Sequence, residues 1–453
     1  MNSDLKALLK PFTDKRDLVE SRVKSGIEAN RKGTAFIRFV DKDGKPLAVR
    51  HVKITQKTHA FRYGANLFML DEFSKPEQNA AYKDLFANAF NIATLPFYWD
   101  DLEPEPGKPR FAKDSPRVYR RPAPDLCLEW CEQHGIEPKA HCLNYEFFRP
   151  KWLPADINTE KRLLEKRFRE LAERYAMRIP RWEVTNETYW RDLLNNGEHP
   201  LYRSPDLVEW SFKTAEKYFG GNILTINEGQ TFAWSGDYFF FSRSPYYLQI
   251  ENALLKGARI DAIGMQFHMF KRREEALEKT MPFYNPENLY AVLDTYAAFG
   301  KPIHITELTI PAYSNNPEDE ELQAEILRNL YSIWFSHPAM DAIIYWNLID
   351  GFAAWAPQGD MTVGENYYYG GLIRYDFTPK PAYKMICDLF QKEWRTNLEK
   401  TPEGADKISF TGFYGDYELE VTTADGKTAK VPYRLAKLPN PAHGDDGYRK
   451  ISL

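Results

Sequence analysis

The chain has little cysteine, no long apolar run and no excess of positive charge. Only four cysteines occur in 453 residues, at Cys127, Cys131, Cys142 and Cys387. None forms the closely spaced Cys-x-x-Cys pair of a zinc site. Cys127 and Cys131 stand four apart on an expected helix, poor geometry for a disulfide, so the thiols read as reduced and structural. No stretch reaches the roughly 18 apolar residues of a membrane span. Residues 1–30 read as a charged amphipathic helix without the apolar core of a signal peptide; unless a signal has been trimmed, this points to a cytoplasmic protein. The net charge of −4 disfavours nucleic acid, because phosphate binding calls for surplus Lys and Arg. No Gly-x-Gly-x-x-Gly follows an expected strand, which weakens a dinucleotide-binding open sheet.

Aromatic residues are plentiful: 11 Trp, 27 Tyr and 29 Phe. Most suit a core, but the apolar C–H face of a pyranose ring also stacks on aromatic walls.

The two ends share a style. Residues 34–40 and 49–55 alternate in polarity around the turn signal Asp41-Lys42-Asp43-Gly44-Lys45-Pro46 and predict a β-hairpin. Residues 407–414, 417–422 and 429–435 also alternate, with a turn at Ala424-Asp425-Gly426. Neither end holds enough strands to be stable alone. Residues 1–59 and 396–453 are therefore expected to complete one small accessory β-sandwich around a central domain, 60–395. The sandwich reads as a brace, with a sugar-binding module as the alternative; Phe410, Phe413, Tyr414 and Tyr417 suit its core. Pro439 to Asp446 reads as an irregular loop.

Between the ends, strand-like segments begin near Ala60, Ile92, Pro138, Arg181, Asn222, Ala262, Pro302 and Ala342. After the first step they recur about every forty residues. Helical patterns lie between them, as at 160–177, 205–219 and 318–334. Gly135, Gly257 and Gly300 each stand where a helix ends and a strand begins. Eight such units predict a (β/α)₈ barrel, a TIM barrel within the α/β class; a doubly wound open sheet is the competing architecture. Arg191 and the run Glu318-Asp319-Glu320-Glu321 read as solvated or helix-start charge.

Barrel proteins carry their working residues at the C-terminal strand ends. Those ends read Asn66; Tyr98 and Trp99; His141 and Asn144; Asn186 and Glu187; Asn227 and Glu228; Gln266 and His268; Glu307; Trp346 and Asn347. Purely structural segments would be mostly apolar there. Residues 182–187 and 303–308 each read as a buried strand ending in a carboxylate, costly to desolvate unless paired or used. Glu187 and Glu307, on the fourth and seventh strands, are expected to face each other across the mouth. Two carboxyls so placed are what glycoside hydrolysis needs: one protonates the leaving oxygen, the other attacks the anomeric carbon. The acid needs a raised pKa while the nucleophile stays ionised. His268 is expected to hold Glu307 in its charged form, Asn186 to bind the sugar 2-hydroxyl, and Gln266 to orient either carboxylate. The chemistry calls for no cofactor and no metal.

Here the sequence resembles glycoside hydrolase family 10, the endo-β-1,4-xylanases. Trp182-Glu183-Val184-Thr185-Asn186-Glu187 resembles the family's Trp-Asp-Val-Val-Asn-Glu, and Ile305-Thr306-Glu307-Leu308 its Ile-Thr-Glu-Leu-Asp. Gly264-Met265-Gln266-Phe267-His268 is similar to Gly-Met-Gln-Gly-His. Trp99, Glu103, Pro104 and Gly107 follow the family's Trp-x-x-x-Glu-Pro-x-x-Gly, and Pro379-Lys380-Pro381-Ala382-Tyr383 its closing Lys-Pro-Ala-Tyr. His141 matches the first histidine of the third-strand motif, and Tyr345-Trp346 through Trp355 the region whose tryptophans wall the sugar. The resemblance covers roughly residues 60–395. It implies a retaining glycosidase with Glu187 as acid/base and Glu307 as nucleophile. Asn186, His141, Gln266, His268, Trp346, Trp355, Trp99, Tyr98, Tyr145 and Glu146 are its implied sugar-binding set, with carbohydrate as the partner and neither nucleic acid nor membrane.

The departures are local. The second strand reads Thr94-Leu95-Pro96-Phe97-Tyr98-Trp99 where the family has Glu-Asn-x-Met-Lys-Trp, so Tyr98 takes the place of a sugar-gripping lysine. The third reads His141-Cys142-Leu143-Asn144-Tyr145-Glu146 against His-x-Leu-x-Trp-His. Glu228 replaces the Asp of the fifth strand's Asn-Asp pair. A rebuilt sugar site favours short oligosaccharides, decorated chains or small glycosides over plain xylan. Two other classes compete: a metal-dependent barrel hydrolase using His141, Glu187, His268 and Glu307 as ligands, and a carbohydrate-binding barrel without catalysis.

Overall fold

The computed structural model describes residues 5–188, 199–229, 233–234, 241–402, 404–437 and 447–453; Arg191 and Pro439 to Asp446 lie outside them. The chain divides into two compact units. One takes in Tyr63–Ile333 and Ala339–Lys384 with the chain's start up to Arg16; the other takes in Asp17–Arg62, Trp334–Pro338 and Met385–Leu453.

The strands in chain order are β1 (Lys32–Val40), β2 (Val49–His59), β3 (Arg62–Asn66), β4 (Ile92–Pro96), β5 (Glu137–His141), β6 (Arg181–Asn186), β7 (Ile223–Glu228) and β8 (Ala262–His268). They continue with β9 (Ile303–Thr309), β10 (Met340–Tyr345), β11 (Asn397–Lys400), β12 (Lys407–Phe413), β13 (Gly415–Thr423), β14 (Thr428–Leu435) and β15 (Arg449–Ser452). Strands β3 to β10 close into an eight-stranded barrel in sequential order, β10 lying beside β3. The register pairs are parallel, as in Ala65 with Ala93 and Arg181 with Ile223. Helices such as Pro76–Ala89, Pro124–His134, Ile157–Tyr175 and Pro317–Ser336 fill the crossovers. This is the expected (β/α)₈ barrel. Its strands are buried almost throughout, as in β6, β8 and β9, as expected where both faces of a parallel sheet are covered. Gly135 ends its helix in the left-handed conformation, φ 64°, a turn glycine makes without a Cβ clash.

The acidic run opening Pro317–Ser336 sits in the helix's first turn, but it is not solvated throughout. Asp319 and Glu320 are buried. Arg273 donates to Asp319 at 2.9 and 3.2 Å, and Arg374 to Glu320 at 2.8 and 2.5 Å. Buried carboxylates persist where such forks satisfy them. Residues 5–31 are broken into Leu5–Leu9, Lys10–Asp14 and Arg16–Arg31 rather than one helix.

In the second unit the terminal strands build two sheets, β12-β1-β15 and β11-β2-β13-β14. Their apolar faces share one core, with Ile37, Phe39, Val52, Ile54, Ile408, Phe410, Tyr417 and Leu419 buried in it. The expected hairpin of β1 with β2 is not formed. β1 pairs with β12 and β15, while β2 pairs with β11 and β13. Each alternating strand must cover an apolar face, and splitting the two between facing sheets does so where a lone hairpin cannot. β13 and β14 do pair as neighbours around the Asp425-Gly426 turn. The four cysteines are buried thiols, none joined in a disulfide. Among the described residues no helix is long and apolar enough to cross a membrane.

Candidate active site

The C-terminal ends of the barrel strands open into a cavity of about 470 Å³, within the size range of small-ligand sites. Its lining includes Tyr98, His141, Tyr145, Asn186, Glu187, Gln266, His268, Glu307, Trp346 and Trp355, all expected from the sequence. Trp99 and Glu146 are not among its lining residues. Trp99 is buried, crosses Trp152 at 5.9 Å and donates its indole N–H to Glu103 Oε2 at 2.8 Å. Glu103 Oε1 accepts from Gly107 N at 2.7 Å. That Trp-x-x-x-Glu-Pro-x-x-Gly segment is therefore a structural knot: its spacing lets one carboxylate tie an indole to a turn.

Glu187 directly follows β6 with φ 51°, a left-handed conformation that costs a non-glycine residue of order 1 kcal/mol or more and is found most often at functional sites. Glu307 projects from within β9. Gln266 Nε2 donates to Glu187 Oε1 at 2.9 Å and to Glu307 Oε1 at 3.0 Å. These two oxygens can therefore be no more than about 6 Å apart. Retaining glycosidases hold their carboxyls roughly 5–5.5 Å apart and inverting ones roughly 6.5–9.5 Å.

Glu307 has further donors. Asn227 Nδ2 reaches Oε1 at 3.0 Å and His268 Nε2 reaches Oε2 at 3.1 Å. Asn227 also donates to Asn186 Oδ1 at 2.8 Å. Gly264 leaves room for this: a Cβ there would stand 2.6 Å from Asn227 Oδ1 and 2.8 Å from the Ile226 carbonyl. Burial pushes His268 down to about 4. Its ring is thus neutral, and its contact with Glu307 is a hydrogen bond rather than an ion pair. With Nε2 donating, Nδ1 accepts from Thr309 Oγ1 at 2.9 Å, which fixes the tautomer. Burial pushes Glu307 up to about 8; His141 opposes the rise, and the carboxylates of Glu183 and Glu187 add to it. The donors favour the anion, but burial and like charge favour the acid and prevail, so Glu307 is raised rather than held in its charged form by His268 as expected; the buried site strips away the water that would otherwise stabilise the anion.

Tyr145 donates its hydroxyl to Glu187 Oε2. Beneath the pair lies a buried network: Glu183 accepts from Lys139 Nζ and from His141 Nδ1. Burial alone would raise Glu183, but Lys139 and His141 hold it down at about 2. His141, Glu183 and Glu307 place ligand atoms within 4.8 Å of one another. The expected metal set differed, having Glu187 and His268 where this cluster has Glu183. The ammonium of Lys139 already occupies one Glu183 oxygen, so the cluster is poorly suited to a further cation.

Several lining residues were not foreseen. Arg120 and Arg121 come from the segment between Leu102 and Pro124, Phe148 follows β5, and Glu365 follows β10. They sit on long loops with no periodicity to mark them. Glu365 Oε2 accepts from Asn347 Nδ2 at 2.6 Å. The Lys380 of the closing Lys-Pro-Ala-Tyr forms a fully buried ion pair with Asp350 at 2.6 Å, anchoring the loop that carries Trp355.

Fold and cleft together define a (β/α)₈-barrel protein with paired carboxylates at the strand ends. The chain belongs to glycosyl hydrolase family 10, whose model matches residues 59–389. Among curated relatives it is 23% identical over 403 residues to anti-sigma-I factor RsgI6 of Acetivibrio thermocellus, covering 86% of this chain and 45% of that one. It is 24% identical to endo-1,4-beta-xylanase 2 of Arabidopsis thaliana, covering 88% and 33%. Against endo-1,4-beta-xylanase B of Thermotoga neapolitana it is 26% identical, covering 74% and 88%. The chain thus spans less than half the length of the first curated relatives it matches. The fold matches the crystal structure of xylanase 10B from Thermotoga petrophila in complex with xylobiose, with TM-score 0.57, 22% identity and coverage of 74% of this chain and 95% of that one.

Proposed function

We propose that the chain is a retaining β-glycosidase acting on xylan-type chains, their oligosaccharides or related β-xylosides, with Glu187 as acid/base and Glu307 as nucleophile. The observation that carries this is the single Gln266 nitrogen bonded to both carboxylates, which keeps them close enough to act on one glycosidic bond. Glu307 attacks the anomeric carbon while Glu187 gives its proton to the leaving oxygen. The C–O bond breaks and a glycosyl ester forms on Glu307. Glu187 then takes a proton from water, whose oxygen attacks the same carbon and frees Glu307. Two inversions give net retention. Asn186, held by Asn227 and Gln266, is placed to meet the sugar 2-hydroxyl, and Trp346 stands in the same wall as Phe68 and Tyr98.

Xylanases named among the relatives support the substrate class. The test is hydrolysis of an aryl β-xyloside and of xylo-oligosaccharides, with the first-formed anomer read by proton NMR. A β-anomer is expected. An α-anomer, or binding with no turnover, would refute the reading; the latter would favour a sugar-binding barrel.

A further inference from the structure

Two consecutive arginines, Arg120 and Arg121, line the cavity. Arg120 adopts φ 63°, a strained conformation for a side chain of its size, and is only 6% exposed. Its guanidinium donates to neutral acceptors, the Phe352 carbonyl and Asn347 Oδ1. Among the described residues it makes no ion pair; Glu365 reaches it through Asn347. Arg121 commits Nε to Asp101 Oδ2 at 2.6 Å and Nη1 to the Arg120 carbonyl at 3.0 Å. Its Nη2 has no protein partner among the described residues. Its guanidinium lies 4.2 Å from the Tyr98 ring centroid, 5.1 Å from that of Phe148 and 5.5 Å from that of Phe68.

This wall therefore holds two guanidinium groups of which only Arg121 pairs directly with a carboxylate, that of Asp101, while the Glu365 carboxylate reaches Arg120 through Asn347. Packing a second cation beside the first, in a partly dry cleft, is unfavourable unless an anion arrives. Neutral sugar hydroxyls do not cancel that charge, whereas a carboxylate does, and the planar guanidinium fork matches it. Resting on the glycosidase reading, the geometry points to a specificity subsite: Arg121, with Arg120 beside it, receives the carboxylate of a uronic-acid substituent carried by the substrate chain. The aromatic faces of Tyr98, Phe148 and Phe68 hold the guanidinium in place and cover the sugar's apolar face.

The test compares kcat/KM of the intact protein on matched xylo-oligosaccharides with and without a glucuronosyl branch. The acidic-to-neutral ratio is expected at about 10 or more, the size of a charge-assisted contact, and to shrink with added salt. In Arg121→Gln the ratio should fall to about 1, and in Arg121→Lys it should stay between the two. A wild-type ratio at or below 1, or one unchanged in Arg121→Gln, overturns the proposal. Should Arg121→Gln fail to fold, titration calorimetry of Glu307→Gln with the same two oligosaccharides decides: tighter binding of the acidic one supports the subsite, equal binding overturns it. If the wild type hydrolyses neither compound, the glycosidase reading falls, and the calorimetry still judges the acidic subsite by itself.

Discussion

Glu187 and Glu307 accept hydrogen bonds from one nitrogen of Gln266, at 2.9 and 3.0 Å. The two carboxyls are thus tied through one donor, so removing either one or changing its proton alters the setting of the other.

Glu187→Ala removes the acid. On substrates with poor leaving groups kcat/KM should fall by about 10²–10⁴-fold, the usual worth of a positioned acid or base. Aryl glycosides whose phenolate leaves unaided should lose much less in the first step. Rates across a series of aryl leaving groups measure this; equal losses across the series would assign Glu187 another role.

Burial raises Glu307 from 4.5 to about 8, with two expected consequences. The attacking carboxylate must be ionised, so the Glu307-dependent limb of a kcat/KM pH profile should rise as pH climbs towards about 8. A raised carboxyl pKa also means that folding disfavours the anion: the native state loses stability as pH climbs from about 4.5 towards 8. Glu307→Gln lacks that penalty. Its melting temperature should exceed the wild type's by several degrees at pH 8 and by little at pH 4.5, as thermal scans would show.

Lys139 and Glu183 are a fully buried ion pair. Lys139→Met strands the carboxylate and should cost about 3–5 kcal/mol in urea denaturation; Lys139→Met with Glu183→Leu should recover much of it. Glu183 is held at about 2, below its ordinary 4.5. Its contribution is complete above pH 4.5 and is lost as pH falls towards 2, so the double variant should show a weaker acid dependence.

Trp99 lies outside the cavity. Trp99→Phe should lower stability by about 1 kcal/mol through the lost indole hydrogen bond and leave KM unaltered. A several-fold rise in KM with unchanged stability would return Trp99 to the sugar site.

The barrel was legible because its strands are buried on both faces and punctuated by glycines such as Gly135 and Gly257. The carboxylates were legible because a Glu in or just after a strand with buried Trp, Val, Ile or Leu neighbours has few structural uses. Three features were not. The pairing of β1 with β12 depends on residues hundreds of positions apart. Trp99 has the composition of a sugar platform, and its indole bond to Glu103 is visible only in three dimensions. Arg120 and Arg121 sit in a long loop where no period indicates direction, so their place in the cavity emerges only in three dimensions.

On the proposed mechanism Glu307 attacks the sugar with Glu187 poised on the same bond. Incubation with a 2-fluoro-β-xyloside bearing a good leaving group, followed by peptide mapping, tests it most directly. A covalent fluoroxylosyl ester on Glu307, absent in Glu307→Gln, is the predicted result. A label on Glu187, or steady hydrolysis with no trapped ester, would contradict the account.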